Sequence, residues 1–196
     1  QYDFDSASCL ALIRKAGLEN EIKLNIEVNH ATLSGHNFEH EIAYAISNNV
    51  LGSIDINRGD TLLGWDTDQF PNNAHDLLMP FYYIFSNGGL KQGGLNFDAK
   101  IRRQSIDPED LFYAHIGGMD VAARVLLAVE KMINDKILPK YVDDRYSNWN
   151  NELGTFIHDK NNDLESIASK VINENLEPKP KSGQQELLEN ILNKYL

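Results

Sequence analysis

The chain has 196 residues and a mass of 22.2 kDa, and its 18 Lys and Arg against 29 Asp and Glu leave a net charge of −11. Surplus acid excludes a phosphate-backbone partner, which would draw on clustered Lys and Arg. Apolar residues at 42% suffice for a core at this length, no apolar run approaches the ~18 residues of a membrane span, and a lone Cys9 offers no internal disulfide. The expectation is a soluble chain in a reducing, cytoplasmic compartment, with no nucleic-acid or membrane partner. Residue one is Gln rather than Met, so either the chain is processed or it is the downstream part of something longer.

In chain order, residues 6–16 carry apolar side chains at helical spacing and stop at Gly17. Residues 23–29 alternate and are β-rich, which predicts a strand. A helix over 37–48 follows, with Phe38, Ile42, Ala45 and Ile46 on one stripe. Residues 51–56 predict a second strand, and a loop rich in Gly and Asp comes next. A helix over 74–86 stops at Gly88-Gly89, and 95–98 predicts a third strand. Asp107-Pro108-Glu109-Asp110 then opens a long helix to about 136, with Pro in the first turn and acids where the dipole favours them. Strands alternating with helices imply βαβ units, hence a parallel sheet or barrel. Beyond Pro139 the chain turns polar up to a Pro- and Lys-rich linker ending at Gly183. Residues 184–195 close it as an amphipathic helix with Leu187, Leu188, Ile191, Leu192 and Tyr195 on one face, too short to stand undocked.

Chemistry concentrates at the strand ends. Glu27 ends the first strand with His30 three residues on, Asp55 lies near the end of the second, Asp66 and Asp68 follow, and Asp98 ends the third. Active sites of barrels and open α/β sheets gather at those ends. Two unit charges about 4 Å apart repel by about 4 kcal/mol at an effective dielectric near 20, so five converging carboxylates need protons or cations. Oxygen-rich ligation with one imidazole favours Mg²⁺, Mn²⁺ or Co²⁺ over a structural zinc. Taken singly, each acid reads equally as a solvated loop residue.

A second pattern, His36-Asn-Phe-Glu39-His40, matches the H-x-x-E-H arrangement of inverted zinc peptidases. On a helix its imidazoles share a face and would hold zinc with Glu39 as base, which defines a zinc-hydrolase alternative beside the plainer reading of a helix-surface cluster. Gly88-Gly89 and Gly93-Gly94 match no phosphate loop, while Gly117-Gly118 would allow close helix packing. Trp65 beside Asp66 would line a sugar site or anchor the loop.

Four segments, residues 25–36, 52–60, 64–71 and 94–100, together resemble xylose isomerase of the longer bacterial type, and the likeness extends from the first residues to the region after Ser182. The resemblance implies an aldose–ketose isomerase that interconverts D-xylose and D-xylulose, and glucose and fructose, through a metal-assisted 1,2-hydride shift. It implies two divalent cations: Glu27 bridging both, Asp55 and Asp98 completing the structural one, and His30, Asp66 and Asp68 holding the catalytic one. The family's catalytic His–Asp pair lies upstream, so no catalytic residue is expected in this chain. Family members are about twice as long, and three strands cannot close an eight-stranded barrel. The implied fold is the C-terminal part of a TIM (β/α)8 barrel, about three βα units over 1–138. Residues 139–196 would be a mostly helical tail for subunit contacts in a homotetramer. A missing N-terminal half and an aldose sugar are the implied partners. The chain by itself is expected to be inactive, and a non-catalytic metal-binding barrel fragment is the further alternative.

Overall fold

The computed structural model describes residues 3–196, in two compact units: residues up to Ile133 together with Tyr195–Leu196, and Asn134–Lys194. The first unit opens with helix α1 (Ser6–Ala16), capped by the Asp5 carboxylate on the Ser8 amide and stopped by Gly17 in the left-handed region. Strand β1 (Leu24–Glu27) follows, then the short helix α2 (Val28–Leu33), helix α3 (Phe38–Ser47) and strand β2 (Leu51–Asp55). Strands β3 (Arg58–Asp60) and β4 (Trp65–Gln69), helix α4 (Ala74–Ser86), strand β5 (Leu95–Asn96) and the long helix α5 (Pro108–Asp135) complete it.

β1, β2 and β5 form a parallel sheet in that order, with Glu27 registered on Asp55 and Asp55 on Asn96. The sheet is narrow at β5 because Gly93 brings the chain hard against β2: a Cβ there would overlap the Gly52 carbonyl. The core lies between sheet and helices. Its buried apolar side chains include Ile26, Ile54 and Ile56 from the strand segments, Leu10 and Ile13 of α1, Ile42 and Ala45 of α3, Leu77, Phe81 and Ile84 of α4 and Val125, Val129 and Met132 of α5. Gly118 lets α5 approach Phe97 and Phe70, since a Cβ would sit 3.1 Å from the Phe97 ring, while Gly117 faces open space.

Three expectations need correction. The first strand is shorter than 23–29, because Glu27 takes the cap position of α2 and the backbone turns helical from Val28. The segment after Asp55 is an antiparallel hairpin rather than a loop, with Arg58 registered on Gln69 and Asp60 on Trp65. Its turn is made by Gly64 at φ +68° and by the Asp60 carboxylate accepting from the Leu62 amide. The third strand keeps only two paired residues, so Asp98 lies just past it. Helix α5 also qualifies the expectation about membrane spans. By length and composition it is the one described helix that could cross a membrane, because Asp120 and Arg124 are the only charges between Leu111 and Ala128. One side of it packs through Val121, Val125 and Val129, while Phe112, Tyr113 and Leu127 are exposed.

The second unit contains α6 (Ile137–Arg145), a 3₁₀ turn over Ser147–Asn150, α7 (Glu152–His158), α8 (Leu164–Asn173) and α9 (Gln185–Asn193). Its cohesion is polar. Asp163 and Ser166 form a reciprocal capping box on α8, Lys170 reaches Glu152 at 3.0 Å and Glu174 at 2.7 Å, and Lys181 reaches Asp144 at 2.6 Å. Gly154, pressed on the Trp149 backbone, is the one buried residue of the unit.

Ile54 is fully buried at the centre of β2. Ile54→Ala should cost about 2–5 kcal/mol of unfolding free energy, read as a lower urea midpoint with an unchanged slope. A loss under about 0.5 kcal/mol would mean that β2 is not the middle of the core.

Candidate metal centre

Because β1 and β2 run parallel and in register, Glu27 and Asp55 leave the sheet side by side at its C-terminal edge. Asp98 joins them from the segment after β5, and one ligand atom from each of the three lies within 4.8 Å of the others. A second triad of the same tightness consists of Glu27, His30 and Asp66. His30 sits on the first turn of α2, three residues past Glu27. Its Nε2 stands 3.4 Å from Glu27 Oε2 and 3.0 Å from Asp66 Oδ2. Asp66 reaches it from β4, so the unforeseen hairpin is what carries this acid to the sheet edge.

Side-chain amides fix these carboxylates, buried at Asn29 and Asn57 and exposed at Asn25 and Asn96. Asn57, only 1% exposed, donates through Nδ2 to Glu27 Oε1 at 2.6 Å and to the Asp98 carbonyl at 2.9 Å, while its Oδ1 accepts from the Asn29 amide at 2.9 Å. The Asn29 side chain donates to Asp66 Oδ1. Room for that contact depends on Gly59, where a Cβ would overlap the Asn29 amide. Asp55 accepts from Asn25 at 2.7 Å and from Asn96 at 3.3 Å. Sequence reasoning gave these asparagines no role. Their signal was position: Asn25 and Asn57 stand two residues from Glu27 and Asp55 respectively, and Asn29 stands next to His30.

Asp68, the sixth residue singled out, stands outside both triads. Lys100 Nζ holds its Oδ2 at 2.7 Å, and the Lys100 amide donates to its carbonyl at 2.7 Å. Asp68 adopts φ +42°, which bends β4 so that its carboxyl faces that of Asp66. Its Oδ1 is buried and has no hydrogen-bond donor.

Electrostatics follow from this crowding. Burial pushes the Glu27 carboxyl above its ordinary value, Asp66 and Asp98 add to the rise, and the Asn57 and His30 contacts oppose it. Asp66 is raised too, by burial first and then by Asp68. Asp68 moves the other way, because the Asp66 carboxyl and Lys100 both stabilise its ionised form. Clustered acids that hold protons too strongly, beside a buried carboxylate oxygen with no donor, fit a site built for positive charge. The donors are oxygens with one imidazole, the chemistry of hard divalent cations.

The H-x-x-E-H expectation fails in two respects. Helix α3 begins at Phe38, so His36 precedes the helix, and Glu39 points to α4, where its Oε1 accepts from the Tyr83 hydroxyl at 3.2 Å. The zinc-hydrolase alternative thereby loses its base. His115 packs in a ring cluster with Phe70 and Phe97, and Trp65 is 61% exposed on the hairpin.

Residues 142–196 match the family described as the XylA2 C-terminal domain. All 196 residues align with curated proteins named xylose isomerase: 57% identical in Histophilus somni (strain 2336), 53% in Chelativorans sp. (strain BNC1) and 54% in Haemophilus influenzae (strain PittEE). The chain spans 45% of the length of each of these relatives. From end to end, therefore, the chain belongs with the C-terminal portion of the xylose isomerases, the family its motifs resemble.

Proposed function

We propose that this chain is the ligand-bearing portion of a metal-dependent aldose–ketose isomerase acting on D-xylose and D-xylulose, and on glucose and fructose, by a 1,2-hydride shift in the open-chain sugar. The observation that carries the reading is the pair of triads sharing Glu27 at the C-terminal edge of a parallel sheet. Relatives named xylose isomerase support it. Glu27 would bridge two divalent cations, Mg²⁺ or alternatively Mn²⁺ or Co²⁺. Asp55 and Asp98 would complete one position, with His30, Asp66 and Asp68 at the other. Bound there, such cations supply the positive charge that polarises sugar oxygens during isomerisation.

The chain's own residues prepare that site. Asn57 fixes Glu27 Oε1 and leaves Oε2 facing His30. Asn25 and Asn96 orient Asp55, and Lys100 anchors Asp68 on one oxygen while the other stays without a donor. This support of ligands by neighbouring amides is the arrangement that sets ligand geometry in metal sites. The parallel strands would be part of a TIM barrel over 1–138, completed by an N-terminal half that carries the family's catalytic His–Asp pair. Residues 139–196 would serve subunit contacts in a cytoplasmic homotetramer.

The chain alone should show no xylose isomerisation, and turnover should appear when a segment supplying the N-terminal half is added. Turnover by the 196 residues alone, or none after complementation in the presence of Mg²⁺, would overturn the reading. Asn57→Ala should weaken Mg²⁺ binding by about 10–100-fold in a calorimetric titration.

The raised groups set a pH dependence. In the cation-free chain, the stability contributed by Glu27 and Asp66 is full below the ordinary carboxylate range, near ~4, and is lost as pH rises through their raised values. Asp68 acts oppositely: its contribution is present above the ordinary value and is lost as pH falls through its lowered one. Mg²⁺ must displace the extra protons. The rise in Tm on adding Mg²⁺ should therefore be smaller at about pH 5 than at about pH 7, the direction the raised groups set. Glu27→Gln should abolish that rise. Calorimetry showing the same Mg²⁺-induced rise at both pH values, or an undiminished one in Glu27→Gln, would refute the assignment.

A further inference from the structure

We propose a separate transition-metal site, selective for zinc-like cations, formed by His36, His40 and Glu41 at the junction of α1 and α3. It does not rest on the isomerase reading. One ligand atom from each of the three residues lies within 4.8 Å of the others, and the two imidazole rings are 4.7 Å apart between centroids, tilted by 51°. The donor set is two imidazoles and one carboxylate, the composition that zinc takes with a fourth position left open. It contrasts with the oxygen-rich triads around Glu27, one of which has a single imidazole with two carboxylates and the other three carboxylates.

The surroundings are those of an oriented site. Glu41 is a buried carboxylate, 3% exposed, with no Lys or Arg ion-pair partner among the described residues. Its Oε2 accepts from the Ser6 amide at 2.6 Å, which leaves Oε1 to face His36 Nδ1 at 3.9 Å. On the far side of the same ring, His36 Nε2 lies 3.3 Å from Asp5 Oδ2. Asp5 is itself fixed by capping α1, its Oδ1 accepting from the Ser8 amide at 2.7 Å. An imidazole donating from one nitrogen to a carboxylate while the other nitrogen is free to ligate is how protein metal sites set the tautomer of a ligating histidine. His40 completes the set: it is exposed on the first turn of α3, and its ring nitrogens carry no hydrogen bond to the described residues. Glu39 takes no part, since it faces Tyr83. What the geometry assigns is a binding site that ties the start of α1 to the start of α3.

The test uses Zn²⁺ and Cu²⁺ as probes on the 196-residue chain carrying His30→Ala, which removes the only imidazole of the Glu27 triads. That chain should bind one Zn²⁺ with His36 and His40 as ligands, and its Cu²⁺ form should give an electron paramagnetic resonance signal split by two nitrogens. Adding His40→Ala, a change on an exposed helix surface, should weaken Zn²⁺ by tenfold or more and leave one nitrogen. Asp5→Asn should weaken Zn²⁺ by about 10–100-fold while both nitrogens remain. Circular dichroism of each variant excludes unfolding as the cause. Zn²⁺ affinity unchanged by His40→Ala, or a Cu²⁺ signal that never shows two nitrogens, would overturn the proposal and leave His36 as an ion-pair partner of Asp5 and Glu41.

Discussion

Parallel pairing imposes a charge problem on this chain, and much of the first unit is arranged around it. With Glu27 registered on Asp55, two carboxylates emerge from neighbouring strands whose spacing is fixed by the backbone at about 4.8 Å. Asp98 and Asp66 are brought to the same edge by a strand end and a hairpin. No Lys or Arg enters either triad. Lys100, the cation nearest in the hydrogen-bond network, is spent on Asp68. Among the described residues the triads are met chiefly by neutral amides, which orient oxygens without neutralising them.

Those amides cost the fold something. Asn29 and Asn57 are fully buried in the layer where apolar side chains would otherwise pack, and the Asn29 Oδ1 atom has no donor among the described residues. The apolar floor beneath them keeps the arrangement affordable: Ile54 and Ile56 flank Asp55 in sequence and are almost wholly inaccessible, so the strand end cannot shift without opening the core. Rigidity in the sheet is thereby passed to the carboxylates that project from it.

Legibility in the sequence followed length and periodicity. Helices α1, α3, α4, α5 and α9 carry apolar stripes or clear stop residues, and their bounds are close to what those signals imply. Strand β1 was overestimated because Val28 and Asn29 continue its alternation, while the decision to turn helical belongs to tertiary contacts such as the Asn57 bond to the Asn29 amide. The β3–β4 hairpin was missed since Asp66 and Asp68 are poor strand formers held by packing of Thr67 and Gln69, a half-buried pattern visible only once the fold exists. Glu27, His30, Asp55, Asp66 and Asp98 were legible as a set from strand-end logic and from the family motifs. Asp68 was singled out by the same strand-end logic and by the motifs, yet it stands outside both triads, and its coupling to Lys100 across 32 residues could not be read from spacing. Glu39 shows the opposite failure: a short pattern picked it out, and the Tyr83 hydroxyl takes it elsewhere.

Glu27 is common to both triads, and this has a thermodynamic corollary. Whatever positive species settles against one of its oxygens withdraws electron density and orientation from the other, so occupancy on the His30 side and on the Asp55 side cannot vary independently. Linkage makes the influence mutual: the factor by which the first guest alters the affinity for the second is the factor by which the second alters the first. Cations held at the two clusters would thus act as one cooperative unit through this shared side chain.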